Sequence, residues 1–168
     1  MEALTAYIIP ISSLKQGIYH YEFLVDNQFF KGFESSLIEE AQLKVKLELG
    51  KKSTLFELFF DISGSIKTVC DRCLEDMQLP VEDQQRLLIK FSDTLEDDLE
   101  VSYIPVGSLE LDVSKYLYEF AHLSIPMVKT HEDIDEDCPI DLEEFMEEES
   151  SEDSSASVWD ALKDINLK

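Results

Sequence analysis

The sequence has little positive charge: 14 Lys and Arg stand against 37 Asp and Glu in 168 residues, a net charge of -23. That excludes a generally basic coat for nucleic acid. Long apolar runs are also missing, since the best of them, Leu55 to Ile62, is interrupted by Glu57 and Asp61 and is too short to cross a bilayer. The opening Met-Glu-Ala-Leu-Thr-Ala-Tyr-Ile-Ile-Pro carries an acid where a signal peptide needs positive charge, and its apolar run stops at Pro10. The chain is therefore expected to be cytoplasmic, with no membrane partner. Cysteine is scarce and odd in number, with Cys70, Cys73 and Cys138 alone, which argues for reduced thiols rather than a disulfide framework. There is no P-loop, no GxGxxG and no HExxH, so phosphate-cradling and metalloprotease chemistry have no support and no small-molecule substrate is evident.

What is present is enough apolar material for a modest core: 44% hydrophobic and 10% aromatic residues, too much for a wholly disordered acidic protein. The acids are unevenly spread. Residues 131–153 hold 13 acids and no Lys or Arg, whereas residues 1–130 hold 22 acids and 12 bases, and the last 15 residues are neutral. Such a dense polyanion repels itself and buries little apolar surface. The expected organisation is a β-rich domain over 1–130, an acidic arm over 131–156 that seeks cationic partners, and a short amphipathic helix over 157–168.

Hydrophobic periodicity gives the elements. Ile18 to Val25 is an aromatic and β-branched run, and in Ala41 to Leu49 the residues Leu43, Val45, Leu47 and Leu49 alternate with Gln42, Lys44, Lys46 and Glu48; both predict strands. Thr54 to Ile62 predicts a partner strand, and Ser63-Gly64-Ser65 predicts a turn into a third segment, Ile66 to Cys70, completing an antiparallel meander. Gln84 to Phe91 and Val101 to Pro105 predict two more strands. The residues between Ser35 and Ala41 fit a helical turn or an extended link equally. A helix follows near 112–123, capped by Asp112 or Ser114, with Val113, Tyr116, Leu117, Phe120 and Leu123 on one stripe and Pro126 ending it. In the last segment Val158, Trp159, Leu162 and Ile165 recur at helical spacing. The fold class is α+β, with an antiparallel β-rich sheet or a small open barrel.

Cys70-Asp71-Arg72-Cys73 is the motif closest to chemistry. Two thiolates three positions apart on a turn grip one zinc ion from the same side, and a tetrahedral site then needs two more ligands. Cys138 is the third candidate, and His131 or Asp141 the fourth. The plainer alternative is that two small, partly buried thiols end a strand. Neither His20, between two tyrosines, nor His122, beside Phe120 and Leu123, has a nucleophile in a recognisable pattern, so both read as packing or flanking residues and no enzyme is indicated. Lys44, Lys46, Lys67 and Arg72 lie on neighbouring segments and are the candidate contacts to RNA phosphates or another partner; the alternative is an ordinary solvent face.

Several of these residues carry a resemblance. Gly17-Ile18-Tyr19-His20-Tyr21-Glu22-Phe23, the strand pattern of Ala41 to Leu49, the run Gly64 to Glu75 that contains the CxRC-Leu-Glu segment, and Leu123-Ser124-Ile125-Pro126-Met127-Val128 resemble the bacterial YceD-like family, named for large ribosomal RNA subunit accumulation. Val158-Trp159-Asp160-Ala161-Leu162-Lys163 is similar to that family's terminal Trp-x-x-Leu-Lys helix. The resemblance implies a non-enzymatic factor supporting synthesis, processing or stability of the 23S ribosomal RNA and ribosome assembly. Its partners would be ribosomal proteins, a large-subunit precursor or the rRNA. Some members of that family carry a second Cys pair, Cys-Pro-x-Cys; here Cys138-Pro139-Ile140-Asp141 matches its first cysteine and has Asp141, a carboxylate able to ligate zinc, at the place of the second. The reading from another class is a small zinc-binding or thiol-dependent protein centred on Cys70 and Cys73.

Overall fold

The computed structural model of the chain describes residues 2–34, 36–92 and 101–138. A 3₁₀ turn, Glu2–Tyr7, leads into the short strand β1 (Ile8–Ile9) and then to the long strand β2 (Gly17–Asp26). A single helical turn, α1 (Asn27–Phe30), follows, with the Asp26 carboxylate accepting from the N–H groups of Gln28 and Phe29. Next come β3 (Ala41–Lys51), β4 (Leu55–Val69), β5 (Asp76–Phe91), β6 (Val101–Ile104), β7 (Leu111–Asp112), the helix α2 (Ser114–Leu123) and a 3₁₀ turn, His131–Ile134. Strands β2-β3-β4-β5-β6 form an open five-stranded sheet in that order, and β1 pairs with β7 in a separate two-stranded ribbon. The class is α+β.

One expectation is corrected here. The turn expected at Ser63-Gly64-Ser65 is absent: β4 runs straight through it, with Gly64 paired to Leu43 on one side and to Val81 on the other. The reason is local, because Gly64 has φ +149° and lies so close to β3 that a side chain would strike the Gln42 carbonyl; glycine here permits a close approach rather than a reversal. Strands β2 to β5 pair antiparallel throughout, and the short β6, outside the expected meander, runs parallel to β5. Pro80 stands inside β5, at a level where β6, which pairs only with residues 88–91, does not flank the strand.

Alternation decides which face is buried. Phe23 and Val25, then Leu43 through Leu49, then Phe56, Leu58, Phe60 and Ile62 point inward, and α2 packs over them through Leu117, Phe120 and Ala121. The Phe60 and Phe120 rings meet edge to face at 5.0 Å, and Phe33 stacks on Tyr118 at 4.2 Å. Leu123, expected on the buried stripe, is 68% exposed, because α2 ends there and the last turn overhangs the sheet. No side chain of the N-cap residue Val113 caps α2, although the Asp112 carboxylate accepts from the Ser114 N–H at 2.8 Å. His122 acts as a staple: its Nδ1 donates to the Tyr118 carbonyl and its Nε2 accepts from the Leu37 N–H.

The first residues of the expected acidic arm, 131–138, pack against the β4–β5 end of the sheet, where Ile134 and Cys138 join a second, smaller core of Cys70, Cys73, Met77 and Leu79. The rest of the arm, and the helix expected over 157–168, lie outside the described residues.

On the other face of the sheet, Glu57 takes hydrogen bonds from Lys52, at 2.6 Å, and from Arg86. Those two donors hold its carboxyl below the usual carboxylate range. A depressed acid stabilises the fold above its unfolded pKa and loses that contribution as pH falls through the folded value. Glu57→Gln is therefore expected to lower the thermal midpoint at neutral pH, with the difference from the parent shrinking as the solution is acidified. A gap that stays constant into acid would assign the effect to shape instead of charge.

Candidate metal centre

The Cys70–Cys73 turn closes the β4–β5 hairpin. Leu74 adopts the left-handed conformation (φ 62°), its N–H donates to the Cys70 carbonyl at 3.0 Å, and the Cys70 N–H donates to the Glu75 carbonyl at 2.9 Å. The Arg72 N–H points at the Cys70 sulfur, 3.4 Å away. This tight loop presents both sulfurs on one side, toward the segment that follows α2.

That segment is pinned to the turn by Asp71 and Lys129. The Asp71 N–H donates to the Lys129 carbonyl (2.8 Å), the Lys129 N–H donates to the Asp71 carboxylate (2.9 Å), and the Lys129 ammonium lies 3.0 Å from the same carboxylate. Arg72 adds an ion pair to Glu132 at 2.7 Å. Thr130 then caps the His131–Ile134 turn through a reciprocal capping box with Asp133. The result is that His131 is buried against Cys73 and that Cys138 is delivered to Cys70.

The four donor atoms, Cys70 Sγ, Cys73 Sγ, His131 Nδ1 and Cys138 Sγ, all lie within 4.8 Å of one another. Cys70 Sγ is 3.9 Å from Cys138 Sγ, and His131 Nδ1 is 3.4 Å from Cys73 Sγ and 3.8 Å from Cys138 Sγ. A tetrahedral zinc ion with ordinary zinc–sulfur bonds sets its sulfurs about 3.8 Å apart, so the cluster has the right size and the right donors for a Cys₃His site. The thiols are free, not paired as disulfides. Of the two candidates for the fourth ligand, His131 is brought to the sulfurs, while Asp141 lies outside the described residues.

The electrostatics are those of a site that wants a cation. Burial opposes ionisation of Cys70, but the N–H groups of Cys73 and Arg72 and the side chain and N–H of His131 outweigh it and bring this thiol down to about 6. Burial, followed by the neighbouring Cys73 and Cys70 thiols, pushes Cys138 up to about 11. A divalent ion bound among the sulfurs would favour their thiolate forms together. With four protein donors, zinc in this site would act as a cross-link between the β4–β5 turn and residues 131–138, with no position left for a substrate.

The candidate basic contacts are distributed differently. Lys44 pairs with Glu22 (3.0 Å) on the sheet face, Lys67 pairs with Asp76 (3.0 Å) near the metal centre, and Arg72 is held by Glu132; Lys46 lies between Glu22 and Asp61 in the strand register. Each has an acid as neighbour. His20 is on the same sheet face, 3.9 Å from Glu48.

The family model described as Large ribosomal RNA subunit accumulation protein YceD matches residues 58–166, which include the metal centre and reach nearly to the end of the chain. The chain belongs to the YceD family. No curated protein and no solved structure shows a significant match to it. Membership of the YceD family links the chain to accumulation of the large ribosomal RNA. Among the described residues, no helix is long and apolar enough to cross a membrane.

Proposed function

We propose that this YceD-family chain is a non-enzymatic factor that supports synthesis, processing or stability of 23S ribosomal RNA during large-subunit assembly. The observation that carries this reading is the family match over residues 58–166. The chemistry of the Cys₃His cluster agrees with it, since a closed set of four protein donors suits a structural zinc ion better than a catalytic one. Charge separates the partners: at -23 the chain attracts basic ribosomal proteins and meets RNA phosphates only through local contacts. The reading of a zinc-binding protein centred on Cys70 and Cys73 joins the first as its scaffold; for the thiol-dependent version the described residues offer no general base beside the sulfurs apart from His131, itself a member of the cluster.

Loss of the gene is expected to give a deficit of large over small ribosomal subunits in sedimentation profiles and less 23S than 16S RNA, both restored by the wild-type chain. An unchanged subunit ratio in the deletion strain would remove the proposal.

A further inference from the structure

Strands leave every second side chain on the face opposite α2, and among the described residues no other element covers that face. It is not a uniform polar surface. Phe59, on the central strand β4, is 43% exposed there, and around it lies an open groove of about 640 Å³. Glu22, Glu48 and Asp61 line the groove from three adjacent strands, with Lys46 and Arg86 as its bases. Over the outward positions of β2 to β5 the acids are Glu22, Asp26, Glu48, Glu57, Asp61, Asp76 and Glu82, against Lys44, Lys46, Lys67, Arg86 and Lys90. The face is negative with an aromatic ring at its centre.

The molecule already shows what this ring accepts. The Arg86 guanidinium lies over Phe59, 5.6 Å from the ring centroid, while its nitrogen binds the Glu57 carboxylate. A guanidinium held by an aromatic face and a carboxylate at once is a general mode of arginine recognition. The Asp61 side chain offers a second carboxylate close by and, among the described residues, has no ion pair or side-chain hydrogen bond.

We infer that the outer face of the sheet docks a basic, arginine-containing peptide segment of a partner protein, with Phe59 as the stacking platform and Glu22, Glu48 and Asp61 as the charge counterparts. Other occupants fit less well. RNA would bring phosphates to a face where acids outnumber bases. A second copy would set the same acidic surface against itself. The chain beyond Cys138 opens with a stretch, 139–153, that has acids and no Lys or Arg and so lacks the complementary charge. The inference rests on the assembly-factor reading only for which protein supplies the segment.

The test uses the full chain and a fluorescent synthetic peptide of alternating arginine and alanine, with oligouridylate as the comparison. Binding of the peptide is expected to weaken roughly 3- to 30-fold in Phe59→Ala, the range of a lost cation–π contact. The double charge reversal Glu48→Lys with Asp61→Lys is expected to weaken it further, while Glu119→Lys on α2 leaves it within twofold. On the isotope-labelled parent protein, amide shifts are expected at residues 20–22, 46–48, 59–61 and 84–86, which settles the site even if a variant misfolds. Shifts confined to residues 139–168, an unchanged affinity in folded Phe59→Ala, or tighter binding of oligouridylate than of the peptide would each overturn the inference. None of these outcomes alters the large-subunit deficit expected of the deletion strain, so the two ideas fail separately.

Discussion

Cys70→Ser is expected to abolish stoichiometric zinc in the purified protein, one ion per chain in the parent and none in the variant, measured by elemental analysis. The same loss is expected for Cys73→Ser, Cys138→Ser and His131→Ala, whereas Asp141→Ala should retain the ion, because Cys70, Cys73, His131 and Cys138 already supply four donors. Linkage sets the scale of the stability effect: an ion present at about 1,000 times its dissociation constant contributes about 4 kcal/mol. Global unfolding need not follow. The main core, built on Leu47, Phe56, Leu58 and Phe60, is separate from the small cluster of Cys70, Cys73, Met77 and Leu79. Hydrogen exchange should therefore rise first in residues 70–75 and 129–138 when the metal is removed by a chelator, with the β3–β4 amides protected. Parent protein purified with no zinc, and taking up none when it is supplied, would refute the site.

The second large effect is expected at Gly64. A Cβ built there comes 2.1 Å from the Gln42 carbonyl oxygen and 2.9 Å from the Leu43 Cα, both backbone atoms of the adjoining strand, and the φ of +149° is strained for any L side chain. Nothing flexible can give way, so the β3–β4 pairing must open around the substitution. Gly64→Ala is expected to cost roughly 3 kcal/mol or more, on the scale of the severe single-site changes in a folded core. Gly50→Ala is the control: its nearest contact is the Glu57 carbonyl oxygen at 3.6 Å, an ordinary distance, and no more than about 1 kcal/mol is expected. Urea unfolding midpoints of the two variants provide the comparison, and equal midpoints would show that the close approach at Gly64 is relieved without cost.

These predictions draw on different levels of the chain. Alternation over Ala41–Lys51 and the aromatic run of Gly17–Asp26 are properties of neighbouring residues, which is why β2 and β3 were legible as strands and the inward face of β3 could be named. The stripe of α2 was legible for the same reason as far as Phe120, and failed at Leu123, where exposure depends on how far the helix extends past the sheet. Gly64 misled because a glycine between two serines has the composition of a turn; only the distance to Gln42, on another strand, distinguishes a tight packing contact from a reversal.

By itself the sequence determined the α+β class, the uneven charge and the Cys70–Cys73 pair, because composition, alternation and a three-residue spacing are all local. It could also nominate Cys138, and His131 or Asp141, as ligands, but not choose among them. Tertiary structure placed His131 and Cys138 with the turn: the Asp71–Lys129 and Arg72–Glu132 pairs fold a distant segment back over it, bringing His131 Nδ1 within 3.4 Å of Cys73 across 58 residues of sequence. It likewise decided that Phe59 and Arg86, unremarkable in their own strands, share one open acidic face, since only the pairing register of β4 with β5 sets them opposite each other. Spacing along the chain carries no information on such contacts, because their separation is fixed by how strands pair and loops return.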